Sequence, residues 1–175
     1  MKIQRLVACI FVLLLVSAAW SQNQKKGTQR AVQATVRSSG DSTLDAKISG
    51  TVVRIVISAY EIDIGEQGEP PEIRKNNCTY SSYPCSQVSS LRIWVNGANL
   101  FVPRSVFAEC TDVGNMRLTT VAGFYILTLT GGDASEAYSV KIYFTAHQVK
   151  KRVVYDLEAN SMCEYTTYLP PTVLE

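Results

Sequence analysis

Residues 91–102 read LRIWVNGANLFV, two apolar stretches joined by the pair Asn96-Gly97. Both central residues of a type I′ turn need a positive φ angle, and Asn-Gly adopts that conformation readily. Because this turn follows the natural twist of paired strands, the stretch predicts a tight β-hairpin. An antiparallel strand pair is therefore expected near the middle of the 175-residue chain.

The strands expected on the C-terminal side of the hairpin follow one another closely. Short segments of Gly, Asp, Ser, Asn, Gln and His, all compatible with turns, separate the β-rich stretches. Since parallel strands need a long crossover connection, such short segments predict antiparallel pairing. The C-terminal half is expected to be a meander of five strands, over residues 116–121, 124–130, 137–146, 149–158 and 162–169.

Other elements are expected on either side of these strands. Pro103 stands at a suitable first helical position, and Val106, Phe107 and Cys110 follow at helical spacing, so we expect one short helix there. Residues 51–63 are dense in β-branched side chains, which predicts a strand. The sequence thus predicts an all-β fold, mostly an antiparallel sheet or a β-sandwich, with one short helix.

The segment between the N-terminus and this β domain has a different composition. Residues 22–50 are rich in Gln, Ser, Thr, Gly and Lys, and their few apolar residues show no sustained period. We expect a flexible basic and polar arm. The disulfide-stapled β domain is then expected to span residues 51–175.

The first 21 residues have the pattern of a secretory signal peptide. Lys2 and Arg5 precede the apolar run of residues 6–16, and small residues then lead to an expected cleavage site after Ser21. An uncleaved anchor is the alternative, but a membrane-spanning helix needs about 20 apolar residues. We therefore expect a secreted or periplasmic protein, with no membrane span in the mature chain.

The charge balance bears on the class of partner. Cleavage after Ser21 would remove two basic residues and no acidic one, so 15 basic and 15 acidic side chains remain of the 17 and 15 in the full chain. From Ser38 onward the chain has 11 basic and 15 acidic residues. A nearly neutral chain gives no general attraction to polyanions, so we do not expect a nucleic-acid partner.

The cysteines of the mature chain predict two disulfides. An even number of cysteines in an exported protein favours disulfide bonds. Of the three possible sets of pairs, we expect Cys78–Cys85 with Cys110–Cys163. A zinc site is the alternative, but the spacings contain no C-x₂₋₄-C pair, so we expect neither metal nor cofactor. Asn77-Cys78-Thr79 is a glycosylation sequon, to be used if the source is eukaryotic.

Catalytic side chains are sparse. His147 is the single histidine, and it falls in an expected turn, where a surface residue is more common than a member of a catalytic triad. Asp133 with Glu136, and Asp156 with Glu158, are the carboxylates that a hydrolase would use if two of them faced one pocket. A carboxylate-dependent secreted hydrolase is therefore an alternative and no catalytic residue is assigned.

Aromatic residues give the most useful indication of binding. Tyr80 and Tyr83 lie in the polar loop of the expected Cys78–Cys85 bond, whereas burial statistics favour Trp94 and Phe101 as core residues. All four are candidates for contact with a sugar ring or a protein partner. We expect a secreted, non-catalytic recognition module that binds a protein or a cell-envelope glycan. An inhibitor of an exported enzyme, with a rigid loop at the surface, is the other alternative.

Overall fold

The computed structural model describes residues 31–62, 78 and 84–169. Within these ranges the chain consists of β-strands and two short 3₁₀ turns, Arg104–Val106 and Ala134–Glu136. The strands are β1 Val32–Thr35, β2 Gly40–Ile48, β3 Thr51–Ile62, β4 Cys85–Val95, β5 Ala98–Leu100, β6 Val113–Val121, β7 Phe124–Gly131, β8 Tyr138–Phe144, β9 Val149–Asp156 and β10 Ser161–Thr167.

These strands form two antiparallel sheets. One has six strands in the order β1-β6-β7-β8-β9-β10, and the other has four in the order β2-β3-β4-β5. One apolar core contains side chains from both sheets, which identifies a β-sandwich. The expected all-β class and the C-terminal meander are confirmed. The largest fully buried side chains include Leu44, Ile55, Ile57, Ile93, Met116, Leu118, Leu127, Leu129, Ile142 and Phe144.

The central hairpin forms as the sequence predicts. β4 pairs with β5 around Asn96 and Gly97, whose φ angles are 50° and 83°. The Asn96 side chain also accepts a hydrogen bond of 2.9 Å from the Val52 N–H, and the Asn96 N–H donates to the Val52 carbonyl at 2.8 Å. The turn is thus tied to the start of β3, so one dipeptide organises three strands.

The expected flexible arm is wrong for residues 32–48, because they form β1 and β2. β2 pairs with β3 along its whole length, and Leu44, Ala46 and Ile48 point into the core while their neighbours are exposed. In a strand that buries one face only, half of the residues are polar, so the average composition resembles that of a linker. The turn at Ser49-Gly50, with φ angles of 50° and 87°, closes this second hairpin.

The short helix expected after Pro103 is a single 3₁₀ turn, Arg104–Val106, and not an α-helix. The turn ends at Phe107, whose φ of −135° leaves the helical region. Val106, Phe107 and Cys110 are buried, so the apolar spacing indicates a segment that covers the core. Among the described residues, no helix has the length and apolar character needed to cross a bilayer.

The last strand, β10, forms one edge of the six-stranded sheet. Its register with β9 shifts between Met162 and Glu164, which makes Cys163 the extra residue of a β-bulge. The bulge places Glu164 and Thr166 on the inner face with Arg152, and Tyr165 on the outer face. The two faces of this sheet therefore differ sharply in chemistry at its β9–β10 end.

Candidate functional site

Trp94 lies on the outer face of the four-stranded sheet. Its neighbours in β4, Ile93 and Val95, are buried in the core, so alternation turns the indole outward. Its cross-strand partners are Arg54 of β3 and Asn99 of β5. The indole is partly exposed. The expectation that Trp94 belongs to the core is therefore wrong, because the hairpin register assigns the core positions to its neighbours.

Two arginine–aspartate pairs flank this indole. Arg54 donates two hydrogen bonds to Asp45, at 2.7 and 3.0 Å, and Arg92 donates to Asp41 at 2.8 Å while lying 6.0 Å from the centre of the Trp94 ring. The Arg54 hydrogen bond lowers the pKa of Asp45, and the pKa of Asp41 is lowered mainly by a hydrogen bond from Ser58 and then by Arg92. Both aspartates therefore stay ionised.

A shallow hollow of about 390 Å³ lies beside the indole. Its charged lining residues are Arg54 and Asp45, which are paired with each other, and its other side chains are apolar or aromatic. Such a hollow can hold one apolar face of a ligand while fixed donors and acceptors meet its polar edge. The lining residues are Asp45, Val52, Arg54, Val56, Trp94 and Gly97.

Phe101 lies at the surface and has 71% of its area exposed, so the expectation of a core position is wrong here too. Leu100, which pairs with Ile93, takes the inward position at the end of β5, and alternation turns the next side chain away from the core. A single exposed apolar side chain is common on protein surfaces and does not by itself indicate a binding site. Tyr80, Tyr83 and Asn77 lie outside the described residues.

A second cavity, of about 520 Å³, lies at the β8–β10 end of the six-stranded sheet. The Arg152 side chain on its wall is 4% exposed and binds Glu164, and it donates a longer hydrogen bond of 3.4 Å to Glu109. Glu136, Tyr138, Cys78 and Cys163 are among the other lining residues.

The Glu164 and Tyr138 side chains that line this second cavity are already engaged in hydrogen bonds within the protein. Hydrogen bonds from Arg152, and then from Thr166, lower the pKa of Glu164, so this carboxylate is a poor proton donor near neutral pH. The Tyr138 hydroxyl donates to the Thr111 carbonyl at 2.6 Å and accepts from the Thr111 N–H at 2.9 Å, while burial raises its pKa. The polar side chains that line this cavity therefore hold neighbouring parts of the structure together, and this accounts for their presence without a ligand.

The four carboxylates considered for hydrolysis do not converge. Asp133 accepts a hydrogen bond of 2.7 Å from the Ala134 N–H, and Asp156 accepts one of 2.8 Å from the Ala159 N–H, so both stabilise turns. Glu158 is exposed in the β9–β10 turn, and of the four only Glu136 lines a described cavity. His147 is exposed in the β8–β9 turn.

One of the two expected disulfides is present. Cys78 and Cys85 are bonded, whereas Cys110 and Cys163 are free, so the expected Cys110–Cys163 bond is wrong. Cys110 is buried beside the Arg152 guanidinium, while the bulge places Cys163 at the exposed sheet edge. Within the described part of the chain, no group of three or more His, Cys, Asp and Glu side chains has an arrangement that could hold a metal ion.

Sequence reasoning missed the Arg54–Asp45 pair beside Trp94. These residues are opposite each other only in the β2–β3 register, which the Ser49-Gly50 turn sets. The available signal was that Ser-Gly dipeptide between two alternating stretches. No protein-family model, curated protein or solved structure matches the chain.

Proposed function

We propose that this protein is an exported, non-catalytic recognition module that binds a neutral glycan on the outer face of its four-stranded sheet. The observation that carries the proposal is the partly exposed Trp94 indole beside a hollow, between two fixed arginine–aspartate pairs. The apolar face of a pyranose ring can stack on an aromatic plane, and the hydroxyls around the ring can form hydrogen bonds with charged donors and acceptors.

The charge on this face favours a neutral sugar. Each arginine that flanks Trp94 is paired with an aspartate, so neither offers an unneutralised charge to an anion. A stable protein–protein interface usually buries 1,200–2,000 Å² around an apolar centre, about 1,600 Å² being typical. The apolar centre of this face consists of Trp94, Val52 and Val56 with polar neighbours, which suits one or a few sugar rings better.

Export rests on the N-terminal sequence pattern. The signal-peptide pattern of residues 1–21 predicts it, and the Cys78–Cys85 disulfide is compatible with an oxidising compartment. We therefore place the proposed activity outside the cytosol, in the secreted or periplasmic fraction.

Tryptophan fluorescence can test the proposed site directly. Trp20 and Trp94 are the only tryptophans in the sequence, and cleavage after Ser21 would remove Trp20, so Trp94 is the single indole of the expected mature chain. With that chain we expect saturable changes in emission with at least one of cellohexaose, chitohexaose and mannohexaose, because a stacked ring removes water from the indole.

Calorimetry on variants supplies the control. Trp94→Ala should lower affinity for the same oligosaccharide at least tenfold, about 1.4 kcal/mol. Tyr165→Ala, which removes an exposed ring from the other sheet, should leave affinity unchanged. Equal affinity of Trp94→Ala and the parent protein would show that the binding surface lies elsewhere.

A further inference from the structure

The outer face of the six-stranded sheet carries a second, chemically different surface. Arg117 in β6, Lys141 in β8 and Lys151 in β9 all point outward, because their neighbours Leu118, Ile142 and Arg152 are buried. Arg117 and Lys141 both pair with Thr128 and so lie in one row across the sheet. We call these three cations, with the tyrosines beside them, the cationic face.

This face has no internal neutralisation. In the described part of the chain, the strand residues that share it are uncharged apart from the three cations, and none of the three has a carboxylate within ion-pair distance. The four-stranded sheet is the opposite case, since Arg54 and Arg92 are each bound to an aspartate. The positive charge of the cationic face therefore remains available to a ligand.

Tyrosine rings hold both lysines in place. The Lys151 ammonium lies 4.2 Å from the centre of the Tyr143 ring and 5.6 Å from that of Tyr165, and the Lys141 ammonium lies 4.5 Å from the centre of the Tyr155 ring. Cation–π contact attracts an ammonium without cancelling its charge. These contacts favour lysine conformations that keep the ammonium groups beside the rings, which lowers the entropy cost of binding a ligand there.

The three phenols add hydrogen-bonding capacity to this surface. Burial, and then the neighbouring phenols of Tyr155 and Tyr165, raise the pKa of Tyr143, so the hydroxyl is protonated at neutral pH. A neutral phenol both donates and accepts a hydrogen bond. The face therefore offers hydroxyls and aromatic edges together with fixed cations, a combination that suits sugars carrying acidic groups.

We propose that the cationic face binds an acidic polysaccharide, a chain with carboxylate or sulfate groups on spaced sugars. Arg117 and Lys141 are two strand spacings apart, about 10 Å. Nucleic acid carries its charges far more densely, about one per 3.4 Å along each strand. The chain from Ser38 onward has 11 basic and 15 acidic residues. A densely charged polyanion that extended beyond the cationic face would therefore be repelled by the acidic remainder of the chain.

Calorimetric titration of the full chain with oligogalacturonate and with sulfated dextran oligomers tests the proposal. We expect at least one to bind, with affinity that falls as salt is added. The double variant Lys141→Gln/Lys151→Gln should bind about tenfold more weakly, because two ordered charges are lost. Lys47→Gln, which removes an exposed lysine from the outer face of the other sheet, is the matched control and should bind like the parent.

Arg117→Gln is an independent variant, since this arginine makes none of the lysine–tyrosine contacts, and it should weaken binding about threefold. Failure of both acidic oligomers to bind the parent protein, or equal binding by the double variant, overturns the proposal. Tighter binding of single-stranded DNA of matched charge, or of phosphatidylglycerol vesicles, overturns the choice of a polysaccharide. Trp94→Ala should retain acidic-oligomer binding, so this test is separate from that of the neutral-glycan site.

Discussion

At the scale of single residues, Arg152 has the most unusual environment. Its side chain is 4% exposed, its Nε has no hydrogen-bond partner among the described residues, and its charge is balanced by Glu164 and the more distant Glu109. The sequence Lys150-Lys151-Arg152 predicts alternating directions in a strand, which the structure confirms for Lys151 and Arg152. It does not predict which of them enters the interior, because that depends on the β8–β9 pairing and on the bulge in β10.

Replacing Glu164 by Gln should destabilise the protein at neutral pH. The neutral amide leaves the buried guanidinium with a weaker partner, and we expect a loss of about 1–3 kcal/mol, reduced because Glu164 is 41% exposed. Urea unfolding at pH 7 measures the difference. Thr167→Ala, on an exposed position of the same strand, should change stability by less than about 0.5 kcal/mol.

The same pair predicts a pH dependence. The folded-state pKa of Glu164 is lowered, so its contribution to stability is present above the unfolded pKa and is lost as the pH falls through the folded pKa. The difference in unfolding free energy between the parent and Glu164→Gln should therefore shrink between about pH 5 and pH 3. A constant difference over that range would contradict the assignment of Glu164 as the ionised partner.

The two free cysteines should differ in reactivity. Burial raises the pKa of the Cys110 thiol to about 11, whereas Cys163 is exposed. Since the thiolate is the reactive form, iodoacetamide should label Cys163 in the native protein and Cys110 only after unfolding. Peptide mass spectrometry measures both. Labelling of neither cysteine in unfolded, unreduced protein would show a Cys110–Cys163 bond.

At the scale of elements, two hairpins with similar turns were not equally visible in the sequence. Asn96-Gly97 stands between strongly apolar stretches, and that hairpin is confirmed. Ser49-Gly50 has the same sign of φ at both positions, but the preceding strand is half polar and contributes only small or aliphatic residues to the core. Local sequence therefore finds a strand more easily when strongly apolar residues flank the turn than when the core face of the strand carries small side chains.

Gly97→Ala should test the central turn. A side chain at φ +83° is strained although nothing lies within 4 Å of the added Cβ, so we expect a loss of about 1–2 kcal/mol. Chemical denaturation measures it. Gly114→Ala is the control, because that site also has free space but does not have a positive φ, and it should be neutral or slightly stabilising.

β2 offers a direct test of the corrected boundary. Leu44 is 2% exposed, so Leu44→Ala should cost about 2–4 kcal/mol in unfolding free energy. Thr43→Ala, at the adjacent exposed position of the same strand, should cost less than about 0.5 kcal/mol. If both variants were as stable as the parent, residues 40–48 would not be part of the folded domain.

At the scale of the whole molecule, the sequence predicted the class of fold but not which residues share a face. Alternation within one strand is local, so the meander and the central hairpin could be predicted. The Trp94 site depends on pairing among β2, β3 and β4, and the cationic face needs the registers of β6 to β10. Such long-range registers follow from packing of the complete sandwich and cannot be obtained from one segment.

The two proposed surfaces lie on opposite outer faces of the sandwich, so they should act independently. Substitutions far apart and without shared partners are usually additive within about 0.5 kcal/mol. The triple variant Trp94→Ala/Lys141→Gln/Lys151→Gln should therefore lose affinity for each oligosaccharide only as much as the corresponding separate variant. Calorimetry with both probes measures this, and strong coupling would indicate one shared site.

The bulge at Cys163 also affects how copies of the protein meet. β10 is a sheet edge, and a regular edge strand is a template on which another chain can add its own strand. The extra residue breaks the hydrogen-bonding repeat beside Met162, which is 58% exposed. By interrupting that repeat, the bulge works against the growth of fibres from this side of the sandwich at high concentration.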